Sequence, residues 1–334
     1  MLQALRRYGP DPFVLSLIAT VAVASLLPCR GVAAQAFGWL TTAAIALLFF
    51  MHGVRLPREA VVAGIAHWRL HLVIFASTFV LFPVIGLVLA RVGPGLLTPQ
   101  LWLGVLFVCA LPSTVQSSIA FTSIARGNVP AAIGAATLSN LIGVLLTPVL
   151  VGLMLKLHGG AGGFDQVGKV ALQLLAPFAA GHLSRPWLAA WAGRNKRLVT
   201  LSDRGSILLA VYTSFSAAVV QGIWRQLPLS RIALLVSVLA LILALVLVAT
   251  TLAARLLGFS REDEIAIVFC GSKKSLASGV PMANVLFAGS AIGTTVLPLM
   301  IFHQMQLMVC AALARRYAAR AEAAAPMDAA ADTA

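Results

Sequence analysis

The sequence predicts an all-α protein that crosses a membrane many times, and three observations support this fold class. Of the 334 residues, 60% are hydrophobic and 10% are charged, whereas soluble domains carry about 25% charged residues. The apolar residues form runs of about 20 residues, the length at which a helix spans the hydrocarbon core. Lysines and arginines collect mainly in alternate connections between these runs, which would all lie on one side of the membrane.

Ten apolar runs are predicted to be transmembrane helices. The first run follows Arg6 and Arg7 and ends near Cys29 without a small-x-small cleavage site, so it counts as a span and not as a signal peptide. The ten runs are residues 12–28, 36–54, 70–90, 101–124, 129–155, 167–188, 205–223, 231–256, 264–287 and 291–313.

The basic residues predict the orientation. A net charge of +14 would suggest a nucleic-acid partner in a soluble protein. With the N-terminus inside, however, most of the 24 lysines and arginines fall on the cytoplasmic side. The sequence therefore predicts a multi-pass protein of a bacterial inner membrane with both termini in the cytoplasm. This orientation in a lipid bilayer explains the positive charge, so no nucleic-acid partner is predicted. The sequence does not identify a protein partner.

The spans divide into two sets of five. Residues 1–156 form the first predicted repeat, the glycine-rich residues 157–166 a linker, and residues 167–316 the second repeat. Because five is odd, the two repeats must have opposite orientations in the membrane, as in inverted-repeat transporters. The basic segment 184–204 is predicted to be a cytoplasmic loop, and the Ala-rich residues 317–334 a disordered cytoplasmic tail.

Spans four and nine share an interrupted pattern. Superposing Cys109 on Cys270 sets Ser113 opposite Lys274, and the next spans each run from small residues to a proline, Pro148 or Pro298. An unwound backbone is tolerated in a membrane only where protein or a wet cavity surrounds it. Paired interruptions therefore predict discontinuous helices and a binding site near the midplane, where spans four and nine cross.

Span four carries Pro112 and five polar side chains at its centre. One interpretation is a proline kink whose carbonyls are bonded by Ser and Thr; the other, which we favour, is a broken helix with groups that line a cavity. Span five adds three polar residues for which helix–helix hydrogen bonding is an equal explanation. The candidates for binding substrate or ion are Ser113, Thr114, Gln116, Ser117, Ser118, Thr137, Ser139 and Asn140.

Two adjacent lysines are the sharpest signal. Lys273 and Lys274, flanked by Ser272 and Ser275, lie well inside the apolar stretch 265–287. A charge at membrane depth costs roughly 2.5 to 3.5 kcal/mol on insertion scales. Snorkelling to a span end is the usual explanation, but both lysines are too far from either end. We therefore predict that at least one faces a central cavity as a proton carrier or anion partner, and we assign the two serines to the same site.

Motifs for catalysis are missing from the sequence. It contains no nucleophile elbow, zinc-protease motif, P-loop or dinucleotide fingerprint. His67 and His71 have the i, i+4 spacing of metal ligands, but no third ligand lies near them in sequence. Neither enzymatic activity nor a cofactor is predicted.

The segment from Pro112 to Pro148 and the run 269–281 (FCGSKKSLASGVP) resemble the bile acid:sodium symporter superfamily. The closer resemblance is to its bacterial symporter-like branch, which is related to the seventh member of human solute carrier family 10. This resemblance implies a panel of spans 1, 2, 6 and 7 and a core of spans 3–5 and 8–10. Substrate would lie between panel and core, behind the crossing of spans 4 and 9.

The resemblance also implies one metal ion, Na⁺. Carried over to this sequence, the sodium ligands that follow the break in span four fall near Ser117 and Ser118, and those on span five near Thr137. A span-three glutamine of the family falls near Thr78, which joins the candidate residues.

The sequence departs from this sodium pattern on span nine. Phe269 or Cys270 replaces the acidic ligand, and Lys273 and Lys274 replace the Gln and Asn. Sodium needs oxygen ligands and an ammonium repels it. The departure therefore argues against the sodium sites and suggests that a lysine charge stands in for the ion.

Together these features predict a secondary active transporter. It would move a small organic anion by alternating access, coupled to Na⁺ or H⁺. The missing acidic ligand leaves one alternative open, a non-transporting regulatory or scaffold membrane protein with the same fold.

Overall fold

The computed structural model describes residues 12–55, 67–157, 164–220, 222, 228–287 and 292–331, and in these ranges it contains helices and no strand. The α-helices are α1 Pro12–Leu26, α2 Gly31–Val54, α3 Trp68–Ala76, α4 Phe82–Val92, α5 Pro99–Ala110, α6 Gln116–Ile124, α7 Val129–Leu157, α8 Phe164–Leu183, α9 Arg185–Arg194, α10 Lys196–Val220, α11 Leu229–Leu256, α12 Arg261–Gly271, α13 Leu276–Leu286 and α14 Ile292–Ala331. A π-helical turn, Ser77–Leu81, joins α3 to α4.

Within the described ranges, five helical stretches are long and apolar enough to cross a membrane. They are Gly31–Val54, Trp68–Val92, Val129–Met154, Leu229–Leu256 and Ile292–Arg320. Shorter apolar helices occur at Leu15–Leu26, Pro99–Ala110 and Leu174–Leu183. These lengths support a polytopic membrane protein, while the arrangement of ten spans in two inverted repeats stays a prediction.

Both predicted interruptions are present. Span four stops at Ala110 and resumes at Gln116, and span nine stops at Gly271 and resumes at Leu276. We call residues 111–115 the first break and residues 272–275 the second break. Each break places a helix C-terminus and a helix N-terminus within a predicted span.

Two segments are more helical than the sequence predicts. The predicted loop 184–204 contains α9 and the start of α10, because Pro186 suits the first turn of a helix and alanines follow it. The predicted disordered tail is helical as far as Ala331, in keeping with the high helix propensity of alanine. Most of the predicted glycine-rich linker lies outside the described residues.

The π-helical turn leaves one backbone carbonyl without a helical partner. The N–H of Phe82 donates to the carbonyl of Ser77, five residues back, and so bypasses Thr78. The next residue, Pro83, has no N–H to offer. The Thr78 carbonyl is therefore available to a group outside its own helix.

The chain forms two compact units, each built from separate stretches. The first unit contains Met1–Leu56, Leu172–Pro228 and Val280–Val296, and the second contains Pro57–Ala171, Leu229–Gly279 and Leu297–Ala334. The first unit contains predicted spans 1, 2 and 7, most of span 6 and Val280–Val296, and the second unit contains most of the remaining spans. The division into panel and core stays a prediction. All thirteen candidate site residues lie in the second unit.

Close helix packing in the first unit depends on glycine. A Cβ atom at Gly181 of α8 would overlap the backbone carbonyl of Phe50, and one at Gly53 of α2 would overlap that of Phe178. Since backbone atoms cannot move aside as side chains do, α2 and α8 can approach this closely only with glycine at both positions.

Candidate substrate and ion site

The two breaks exchange hydrogen bonds with each other's helix ends. Ser113 Oγ in the first break donates to the Cys270 carbonyl of α12 at 2.6 Å. Lys274 Nζ in the second break donates to the Cys109 carbonyl of α5 at 2.8 Å. Ser113 and Lys274 are the residues that become equivalent when the two cysteines are superposed. If the two breaks belong to related repeats, this reciprocal pair of hydrogen bonds is the expected pattern.

The Lys274 ammonium lies in a cage of backbone carbonyls. Its Nζ donates to the carbonyls of Thr78 at 2.7 Å, Cys109 at 2.8 Å and Leu111 at 2.7 Å. The ring centroid of Phe82 lies 4.1 Å away on a further side. Because a lysine ammonium has three donors, this side chain, which is fully buried, is saturated.

Backbone irregularities supply the oxygens of this cage. The Thr78 carbonyl is bypassed by the π-helical turn. In a continuous helix the Cys109 carbonyl would accept the N–H of Ser113, but that N–H donates to Ser139 Oγ at 3.1 Å. Leu111 lies beyond the end of α5. Each carbonyl therefore needs a donor from elsewhere, because an unpaired buried polar group is costly.

Gln306 of α14, which the sequence analysis does not name, holds the backbone of Lys274. The Lys274 N–H donates to Gln306 Oε1 at 2.8 Å, and Gln306 Nε2 donates to the Lys274 carbonyl at 2.9 Å. Ser113 is held in the same way by Ser139 and by Asn140, whose Nδ2 donates to the Ser113 carbonyl at 2.7 Å. The tenth span contains two glutamines, Gln304 and Gln306, and nothing in the sequence indicates which of them has a buried partner.

Replacing Gln306 with leucine should destabilise the fold by about 2 to 6 kcal/mol. The change leaves the N–H and the carbonyl of Lys274 buried without partners, at about 1 to 3 kcal/mol for each group. Thermal unfolding of the purified protein measures the loss. Gln304→Leu is the matched control, because Gln304 lies on the same helix, is only partly buried and has no described hydrogen bond. Equal losses in the two variants would contradict this role for Gln306.

Lys273 has a different environment from its neighbour. Its Nζ donates to the carbonyl of Ser117 at 2.8 Å and lies 4.0 Å from the ring centroid of Phe121 and 5.4 Å from that of Phe269. Among the described residues this carbonyl is its one hydrogen-bond partner, so two of its three donors remain for a ligand or water. The side chain is buried, but Ser117 is partly exposed and Gln116 is exposed.

The hydroxyl groups around the start of α6 form a cluster. Thr114 Oγ1 lies 2.7 Å from Ser117 Oγ and 3.0 Å from Ser118 Oγ, which donates to the Phe269 carbonyl at 3.0 Å. The Lys273 ammonium lies beside this cluster, since it contacts the carbonyl of Ser117. Gln116 begins α6 but has no described contact with the other candidates.

A second polar group connects the second break to α7. The Ser275 N–H donates to the Pro112 carbonyl at 2.9 Å, and Ser275 Oγ donates to Ser278 Oγ at 3.2 Å. Ser278, which the sequence analysis does not name, donates to Asn140 Oδ1 at 2.7 Å. Asn140 and Ser139 thus contact the breaks, as the helix–helix interpretation of span five requires.

Three further candidate side chains make no described hydrogen bond to another segment. Two of them donate to a carbonyl four residues back, and the third has no described partner. Ser272 Oγ donates to the Val268 carbonyl at 2.6 Å, and Thr78 Oγ1 donates to the Ile74 carbonyl at 2.8 Å. Thr78 still contributes to the site through its backbone carbonyl. Thr137 is partly exposed, and no hydrogen bond of its side chain is described. Its role in ion binding stays a prediction.

The groups near Ser117 and Ser118 do not suit sodium while Lys273 carries its charge. The Ser117 carbonyl accepts from the Lys273 ammonium, and the Ser118 hydroxyl donates to Phe269. A metal ion at this carbonyl would stand next to a positive charge in a low-dielectric environment, which is unfavourable. In the described part of the chain, no group of three His, Cys, Asp or Glu side chains could hold a metal ion either.

Comparison with known proteins shows the family. The SBF-like CPA transporter family matches residues 11–319. The chain belongs to this family. Membership of a transporter family, together with several membrane-length helices, makes this family member a multi-pass membrane transporter.

Bacterial and animal relatives cover nearly the whole chain. PA2026 of Pseudomonas aeruginosa is 59% identical over 320 residues, 96% of each protein. YfeH of Escherichia coli K12, named as a candidate symporter, is 56% identical over 312 residues, 93% of this chain and 94% of the relative. Sodium/bile acid cotransporter 7 of Rattus norvegicus is 27% identical over 314 residues, 92% of each protein.

Proposed function

We propose that this family member is a secondary active transporter that moves a small organic anion by alternating access. The family match and the symporter name of YfeH support a transporter. The similarity to proteins of Pseudomonas and Escherichia supports a bacterial inner membrane, and the distribution of basic residues supports cytoplasmic termini. The two breaks, arranged as in inverted-repeat transporters, support alternating access.

One observation carries the choice of an anion. The Lys273 ammonium retains two donors and lies under the partly exposed start of α6. The N–H groups at the start of this helix and its dipole favour negative charge within about one turn of this ammonium. A carboxylate or sulfonate that reached this point would meet a cation, hydroxyl groups and a helix N-terminus together.

The environment of Lys273 also favours protons over sodium as the coupling ion. At Ser117, one of the residues near which sodium is predicted, the backbone carbonyl is already bonded to an ammonium. Lys273 has one hydrogen bond where Lys274 has three, so it can give up a proton with less loss of bonding. We therefore assign the coupling proton to Lys273. Sodium is the competing assignment, because it appears in the name of the animal relatives.

Transport by the purified protein in liposomes tests this proposal. The probes are acetate, succinate, 2-oxoglutarate, ethanesulfonate and taurocholate, each offered with an inward proton gradient or an inward sodium gradient. We expect at least one probe to enter with protons, as measured by a trapped pH-sensitive dye, and the rate to be unchanged when K⁺ replaces Na⁺. Sodium-driven uptake would reassign the coupling ion. No flux above that of protein-free liposomes under either gradient would contradict anion transport.

A further inference from the structure

Three backbone carbonyls converge on one point in the second unit. The oxygens of Thr78, Cys109 and Leu111 each lie within 2.8 Å of Lys274 Nζ, and the face of Phe82 closes another side. Converging carbonyl oxygens are also the ligands that potassium channels offer to their ions. An aromatic face attracts cations in the same way.

Backbone carbonyls of three other residues supply every oxygen of this cage. A π-helical turn followed by Pro83 exposes the first carbonyl, and the end of α5 exposes the other two. The cage also lies at the C-terminus of α5, where the helix dipole is negative. A single frayed helix end would expose carbonyls from one segment only. Here the π-helical turn and the end of α5 direct carbonyls to the same point, as in a cation site.

From this geometry we infer that the carbonyl cage is a binding site for a monovalent metal cation, which Lys274 fills permanently with its own ammonium. The tethered charge joins the π-helical turn, α5 and the second break and cannot dissociate. Removing the ammonium while leaving the cage should make the fold depend on free Na⁺ or K⁺. This inference concerns the stability of the fold and does not rest on the proposed transport.

Lys274→Ala tests the inference directly. The substitution removes the four side-chain atoms beyond Cβ and leaves room for an ion with water. The full-length protein is purified in detergent, and its Tm is measured in NaCl, KCl and choline chloride at equal ionic strength. The wild-type Tm should be the same in all three salts. The variant should have its lowest Tm in choline chloride, with a saturable rise of at least about 4 °C in Na⁺ or K⁺, because a ligand of the folded state stabilises it.

Lys273→Ala is the matched control. Its ammonium contacts one carbonyl, so removing it leaves no set of converging carbonyls, and the rise of Tm with Na⁺ or K⁺ should be clearly smaller than that of Lys274→Ala. The same cation dependence in both variants, or a Tm of Lys274→Ala that is equal in the three salts, overturns the inference.

A second variant, Lys274→Gln, tests the same inference in case Lys274→Ala does not fold. Lys274→Gln keeps an amide with two N–H donors for the cage, so we expect an intermediate Tm and a smaller rise with Na⁺ or K⁺. If Lys274→Ala cannot be purified in any of the salts, the absence of a cation effect on Lys274→Gln overturns the inference. These readouts need no transported solute, so failure here is distinguishable from failure of the transport proposal.

Discussion

Replacing Lys274 with methionine should strongly destabilise the second unit. Methionine is long, flexible and apolar, so it fills much of the same space without creating a large cavity. It has no N–H, however, and the carbonyls of Thr78, Cys109 and Leu111 all lose their donor. At about 1 to 3 kcal/mol for each unsatisfied group, the expected loss is about 3 to 9 kcal/mol.

A loss of this size approaches the whole stability of a typical domain, about 5 to 15 kcal/mol. We therefore expect a large fall in the yield of folded protein and in Tm. Because methionine occupies the space that an ion would need, the loss should not depend on Na⁺ or K⁺, in contrast to Lys274→Ala.

Lys273→Met provides the comparison on the neighbouring position. It leaves a single carbonyl without its donor and removes two cation–π contacts, so the loss should be the smaller of the two. A larger loss at Lys273 than at Lys274 would show that the three-carbonyl cage does not hold the crossing together.

Lys273→Met should instead have the larger effect on transport. The proposed anion would lose a charge-assisted hydrogen bond of about 1.5 to 3 kcal/mol, which corresponds to roughly a 10- to 100-fold lower kcat/KM for uptake. Proton coupling should be lost as well, since methionine cannot carry the proton. The measurement is uptake into liposomes of the probe that the wild-type protein moves, with folded protein verified by its Tm.

Lys273→Arg separates charge from proton exchange. Arginine keeps the positive charge but does not deprotonate in proteins. This variant should therefore still bind the anion, as shown by a ligand-dependent rise in Tm, while its uptake no longer follows the proton gradient. Unchanged, proton-driven uptake by folded Lys273→Met or Lys273→Arg would remove Lys273 from the mechanism.

The positions of the two breaks could be predicted because their signals are local. A proline and a pair of lysines within apolar spans are unfavourable unless the backbone and the charges find partners, and this holds for any fold. The breaks at residues 111–115 and 272–275 follow from those residues alone. The superposition of Cys109 on Cys270 also identified Ser113 and Lys274, the two residues that exchange hydrogen bonds.

The lengths of the apolar runs did not predict the helices that lie outside the spans. The segment 184–204 is basic and interrupted, which suggested a loop, yet most of it is helical in α9 and α10. Charge shows that a segment lies outside the hydrocarbon core, but it does not exclude a helix. Gln306 and Ser278 were missed for a related reason, because a single amide or hydroxyl in an apolar helix gives no indication of its partner.

The sequence by itself determined that this is a helical membrane protein and that two of its predicted spans are interrupted. It did so because unpaired charges and unpaired backbone groups are costly in hydrocarbon whatever the fold. Only the tertiary structure decided that Lys274 is saturated while Lys273 retains donors. That difference rests on backbone carbonyls, which every residue carries and which become ligands only where a π-helical turn or a helix end exposes them to the right side chain.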